Sequence, residues 1–174
     1  HTGTTFGGTF SVRGCRFLYG VHGIDGSFDC TQSTANIVST LFARLRGDAI
    51  RYYGSLTPIP GTNNLKVHHV TIADCLRGIV VSGCGAQSQG SHIVFSGNAT
   101  DLTLSPGPFL TFPVSYSVSD RTSLAGVGNL PQQDVRLIRP TCKLAPNSPC
   151  RDAGIVTANT PLLDYEGDPR SLAA

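Results

Sequence analysis

The chain has 174 residues, which suits one domain or one compact stretch of a larger solenoid and is too short for two full domains. A net charge of +2 with 14% charged residues gives no basic footprint for nucleic acid and no polybasic membrane anchor, and no apolar run nears the ~20 residues of a bilayer-spanning helix. Twenty Gly, eleven Pro, no Met, no Trp and a single glutamate, Glu166, describe strands and turns rather than helices.

Six cysteines without a C-x-x-C motif, and without histidines at zinc-ligand spacing, fit an oxidising compartment better than a metal site. The expected location is therefore extracellular or at the cell surface. A chain that begins HTGTTFGG reads as a mature form whose leader was removed or as a piece of something longer. Residues 1–8 form an N-terminal extension in which Gly7 and Gly8 would let the preceding residues swing outward.

Residues 9–105 carry an internal repeat. The segments SVRGCRFLYGVHGI, NIVSTLFARLRGDAI, VHHVTIADCLRGIVV and SHIVFSGNATDLTL align with Phe17, Phe42, Ile72 and Phe95 in one column. Ile24, Ile50, Ile79 and Leu102 then fall seven or eight residues later, while Cys15, Thr40, Val70 and Ile93 fall two earlier. Apolar positions at spacing two mark the inward face of a short strand, and the later residue starts the next strand after a turn. Gly20, Gly47 and Gly78 fall inside that turn, where a residue free to take positive φ lets the chain corner. The copies lie 25, 30 and 23 residues apart, and the longest spacing holds LTPIPGTNN, a loop bulging from one corner.

An antiparallel sandwich fits the same composition, but hairpins do not force similar residues to recur at this period, whereas stacked coils do. The expected fold is all-β, a right-handed parallel β-helix of about four coils with an irregular, Pro-rich capping segment over 106–174. On these columns, residues 9–105 resemble the pectate-lyase-like family of right-handed parallel β-helix proteins. The runs NSPCRDAG (147–154) and DYEGDPR (164–170) are similar to the closing segment of bacterial secreted and surface β-helix proteins of unassigned activity. SPGPFLTFPV and LPQQDVRLI are too Pro-rich for central strands and read as covering segments that leave the solenoid axis.

Carbohydrate chemistry on such a fold needs acids or bases gathered on one outward sheet. The outward candidates are Arg44, Arg51, His68, His69 and Asp74, with Arg46, Asp48 and Arg77 near the turns. Asp48 and Asp74 fall at different positions of their coils, so they make no carboxylate pair. Adjacent His68 and His69 face opposite ways along a strand and do not chelate one metal together. The repeated L-R-G at 45–47 and 76–78 invites an acidic-sugar reading, yet stacking of one turn on the next explains it too. Asp164, Glu166 and Asp168 alternate like a calcium loop but with a misplaced glycine, and Asn98-Ala99-Thr100 is a glycosylation sequon only in a suitable host. No catalytic, cofactor-binding or metal-binding set is assigned.

Cys142 and Cys150 flank a short proline-containing loop and are the disulfide candidates; Cys75 or Cys30 with Cys84 are further pairings, and Cys15 reads as a small inward hydrophobe. No amphipathic helix covers the first coil, so Phe6, Phe10 and Val12 mark an assembly surface for the C-terminal region of a neighbouring copy or for preceding chain. The expected function is a non-catalytic extracellular structural or adhesive protein, self-assembling head to tail into a filament or surface layer. The alternative is a carbohydrate-active β-helix enzyme, lyase or hydrolase, or the C-terminal part of one. Expected partners are other copies, a longer chain or polysaccharide, with no nucleic acid and no transmembrane segment.

Overall fold

The structure, a computed structural model, describes residues 8–28, 33–54, 63–82, 88–105, 111–151, 153, 155–156, 160–163 and 166. Each coil bends twice and contributes three runs of extended chain. The first coil holds β1 (Gly8–Arg13), β2 (Arg16–Leu18) and β3 (Ile24–Phe28), and the second holds β4 (Ser33–Val38), β5 (Leu41–Ala43) and β6 (Asp48–Gly54). In the next two coils the first two runs merge across the bend. They give β7 (Asn63–Ala73) with β8 (Arg77–Ser82), then β9 (Gln89–Ser96) with β10 (Thr100–Leu104).

All of these strands pair in parallel with their counterparts one coil away, forming an eight-stranded bent sheet, completed by two later strands, and a four-stranded sheet in the order β10-β8-β6-β3. The fold is therefore a parallel β-helix, with no helix among the described residues. Three steps separate the four aligned segments, so the solenoid makes about three turns rather than the four expected.

Both apolar columns are in register. Phe17 pairs with Phe42, Phe42 with Ile72 and Ile72 with Phe95, while Ile24, Ile50, Ile79 and Leu102 pair in the same way on the second sheet. Stacking of this kind buries large side chains one above another: Phe42, Ile72, Phe95 and Ile79 are 0% exposed, and the end members Phe17, Ile24 and Leu102 are partly buried.

The bends are not made by the glycines expected to make them. Gly14, Ser39, His69, His92 and Tyr116 take left-handed φ at the first bend, and Tyr19, Arg44, Asp74 and Gly97 do so at the second. Seven of these nine carry side chains, each held in a conformation that costs roughly 1 kcal/mol outside glycine. Gly47 and Gly78 are needed for space instead. A Cβ on Gly47 would sit 2.6 Å from the His22 ring, and one on Gly78 would sit 2.4 Å from the Asp101 carbonyl. The L-R-G repeat is also out of register. Asp48 pairs with Arg77, so Leu76 stands beyond Arg46, and Cys75 takes the inward place of Leu45.

The chain beyond 105 stays on the solenoid further than its prolines suggest. β11 (Val114–Ser115) and β12 (Val118–Ser119) extend β9 in parallel, and Phe112 and Val114 enter the core. Pro113 fits because it lies before the strand and its carbonyl accepts from the Gly90 N–H. Residues 126–133 then close this edge. Asn129 Oδ1 accepts from the Ser117 N–H at 2.9 Å and its Nδ2 donates to the Val114 carbonyl at 2.9 Å. The N–H groups of Leu130 and Gln133 donate to the carbonyls of Ser117 and Ser119.

From there the chain returns along the outer face of the bent sheet. The antiparallel pair β13 (Leu137–Ile138) and β14 (Lys143–Leu144) packs Leu137 and Cys142 over Leu41, Ala43 and Ala73. The C-terminal chain thus covers a flank as well as an end.

Candidate functional site

Eight outward residues were candidates, and the coil geometry divides them among three corners. Asp48, Arg51 and Arg77 meet at the start of the four-stranded sheet. Asp48 is 0% exposed, and Arg77 donates Nε to Oδ1 at 2.5 Å and Nη2 to Oδ2 at 3.0 Å. The Arg51 guanidinium stands 3.7 Å from the same carboxylate and donates to the Tyr53 hydroxyl. The His22 Nδ1 accepts from the Asp48 backbone N–H at 3.1 Å. Every group here is matched by a neighbour, which makes this corner a structural clamp between coils.

His68 and His69 belong to the first bend. His68 Nδ1 lies 2.7 Å from the Ser91 Oγ of the next coil, and burial, then the neighbouring His92 and Lys66, push its pKa down. The His69 ring stacks on His92 with centroids 4.4 Å apart and 12° between planes, and His92 stacks on Tyr116 at 5.4 Å. His92 Nε2 donates to the Ile155 carbonyl, and the Ser39 hydroxyl donates to the Leu163 carbonyl, so the C-terminal chain crosses this column. The stack was readable in principle, since His92 precedes Phe95 by the same three positions as His69 precedes Ile72.

Arg44, Arg46 and Asp74 line an open groove of about 480 Å³ at the second bend, together with Arg121 and a floor of Leu76, Gly97 and Ala99. The Arg44 guanidinium lies 5.2 Å over the Tyr19 ring and donates to the Tyr19 hydroxyl. Asp74, the one carboxylate among the described lining residues, is ion-paired by Arg139 from the returning chain. Arg46 has no acidic partner among the described residues. Arg121 makes a long 3.4 Å bond to the Ala99 carbonyl. No sequence signal marked Arg121 or Arg139, because both reach the groove from chain outside the repeat.

Among the described residues no three His, Cys, Asp or Glu are grouped to hold a metal ion. Asp164 and Asp168 lie outside the described residues, and Glu166 pairs with Lys143. The bridge expected between Cys142 and Cys150 is not formed: both are free thiols, as are Cys15 and Cys75. Cys142 packs in the apolar patch of Leu41, Ala43 and Ala73. Cys30 and Cys84 lie outside the described residues.

Of the assembly-surface residues, Phe6 is outside the described residues, Phe10 is 44% exposed and Val12 is buried. Leu18, Tyr19 and Val21 of the same coil are exposed as well. β1, β2 and β3 each pair on one side, and among the described residues no strand meets their other edge. No protein-family model matches the chain, and neither a curated protein nor a solved structure does.

Proposed function

We propose that the chain is a non-catalytic, extracellular structural or adhesive β-helix module of pectate-lyase-like architecture that associates through the N-terminal end of its solenoid. The observation that carries this reading is the first coil, where β1, β2 and β3 each have one edge that no described strand meets, beside exposed Phe10, Leu18, Tyr19 and Val21. A neighbouring copy or a preceding coil can supply the missing strands. Head-to-tail assembly of copies would use the edge of β10, which no described strand meets, because residues 126–133 close the edge of β11 and β12. The likeness of the last segments to secreted bacterial β-helix proteins supports an extracellular setting. A carbohydrate-active enzyme is disfavoured by the groove chemistry, since its one described carboxylate is committed to Arg139.

Sedimentation velocity at high protein concentration tests this reading. Assembly through the first coil predicts species larger than a monomer that dissociate when Leu18→Glu and Val21→Glu place charge on the exposed edge. A stable monomer in both proteins would remove the assembly half of the proposal.

A further inference from the structure

From the arrangement of guanidinium groups at the second bend, we infer that the groove between Arg46 and Arg121 binds an extended acidic polypeptide segment through its carboxylates. This inference rests on the adhesive reading above and adds a ligand class at a second surface, apart from the first-coil edge. Three arginines border the groove, and its single described carboxylate is already neutralised by Arg139, so the surface carries net positive charge facing solvent. Arg44 is fixed over Tyr19, whereas Arg46 is exposed and Arg121 is weakly held, which leaves two guanidinium forks for carboxylates.

The spacing suits an extended chain. Arg46 belongs to the second coil, and Arg121 reaches the fourth coil at Ala99, so the two are separated by about two strand spacings, ~10 Å. A polyproline-type segment advances about 9 Å in three residues and returns its side chains to the same face, which brings acidic groups three apart onto both forks. Clusters of arginine are a general means of recognising acidic motifs.

The floor separates a peptide from an acidic polysaccharide. Leu76, 51% exposed, and Ala99 offer an aliphatic surface that suits the methylenes of glutamate side chains. Sugar rings pack their C–H faces on aromatic rings, and none of the described residues lining the groove is aromatic. Tyr19, the ring beside it, does not line the groove, and one of its faces lies under the Arg44 guanidinium.

Fluorescence anisotropy of a labelled oligo-glutamate peptide tests the assignment, at protein concentrations where sedimentation finds monomer, so that binding and assembly fail independently. The expected result is saturable binding that weakens with salt. Arg46→Gln combined with Arg121→Gln should weaken it about tenfold, whereas Arg13→Gln on β1 should leave it unchanged. Leu76→Glu, which puts a carboxylate on the floor, should abolish it, with unaltered thermal melts confirming that each variant folds. Absence of binding, or an unaffected double variant, overturns the site. Oligogalacturonate bound at least as tightly, with the same arginine dependence, overturns the peptide assignment.

Discussion

The Phe17 ring stacks on the Phe42 ring with centroids 5.0 Å apart and 7° between planes, which is the contact that passes the core from the first coil to the second. Phe42 is fully buried between neighbours on both sides, whereas Phe17 has one neighbour and lies partly exposed. Phe42→Ala should therefore cost roughly 3 to 5 kcal/mol in denaturant melts, and Phe17→Ala clearly less. Equal losses at the two positions would contradict the stacked column.

The clamp at Asp48 should respond unequally to removal of its two partners. Arg77→Ala leaves a fully buried carboxylate with only the more distant Arg51 among its arginine partners, an under-compensated charge that should cost up to about 3 to 5 kcal/mol. Asp48→Asn leaves Arg77 partly exposed and able to find water, so the loss should be nearer about 1 to 3 kcal/mol. Thermal or chemical melts of the two variants rank them directly.

Asn98 is 0% exposed, accepts from the Cys75 N–H, and donates to the Ile72 carbonyl and to Asp101. Its sequon is sealed in the folded chain. Expression in a glycosylating host should yield folded protein with no glycan at Asn98 by peptide mass mapping, and any glycosylated fraction should be found unfolded.

Acid should weaken the fold through His68. Its pKa is lowered in the folded state, so the unfolded chain takes up the proton first. The stabilisation is whole above about pH 6.5 and declines as pH falls from there towards the lowered folded value. Melting temperatures measured across this window should drop in the wild type, and His68→Gln should flatten that part of the profile.

Burial pushes the Cys75 thiol up to about 11 and raises that of Cys142 as well. Both should resist iodoacetamide in the native protein and react promptly after denaturation. Labelling of Cys142 without denaturant would show that the returning chain opens.

The coils were legible in the sequence because stacking imposes one chemistry on one column: Phe17, Phe42, Ile72 and Phe95 have to resemble one another to share a core. The bends were not, because Ser39, Arg44, His69 and Asp74 hold left-handed backbone through the neighbouring coils and carry no glycine to announce it. The same gap hid the one-residue shift that exposes Leu76 and buries Cys75. The candidate groove was half legible. Arg44, Arg46 and Asp74 come from the repeat, while Arg121 and Arg139 arrive from chain whose path depends on how it folds back.

The side chain of Asn129 gives the molecule a direction. By occupying the N–H of Ser117 and the carbonyl of Val114, one amide does for the bent sheet what another strand would do, and templating ends there. At the opposite end no described strand meets β1, β2 or β3, so among the described residues the bent sheet is open only along β1 and β2. At the Asn129 end, the edge of β10 alone is met by no described strand, so a second chain arriving there would find the four-stranded sheet and not the bent one.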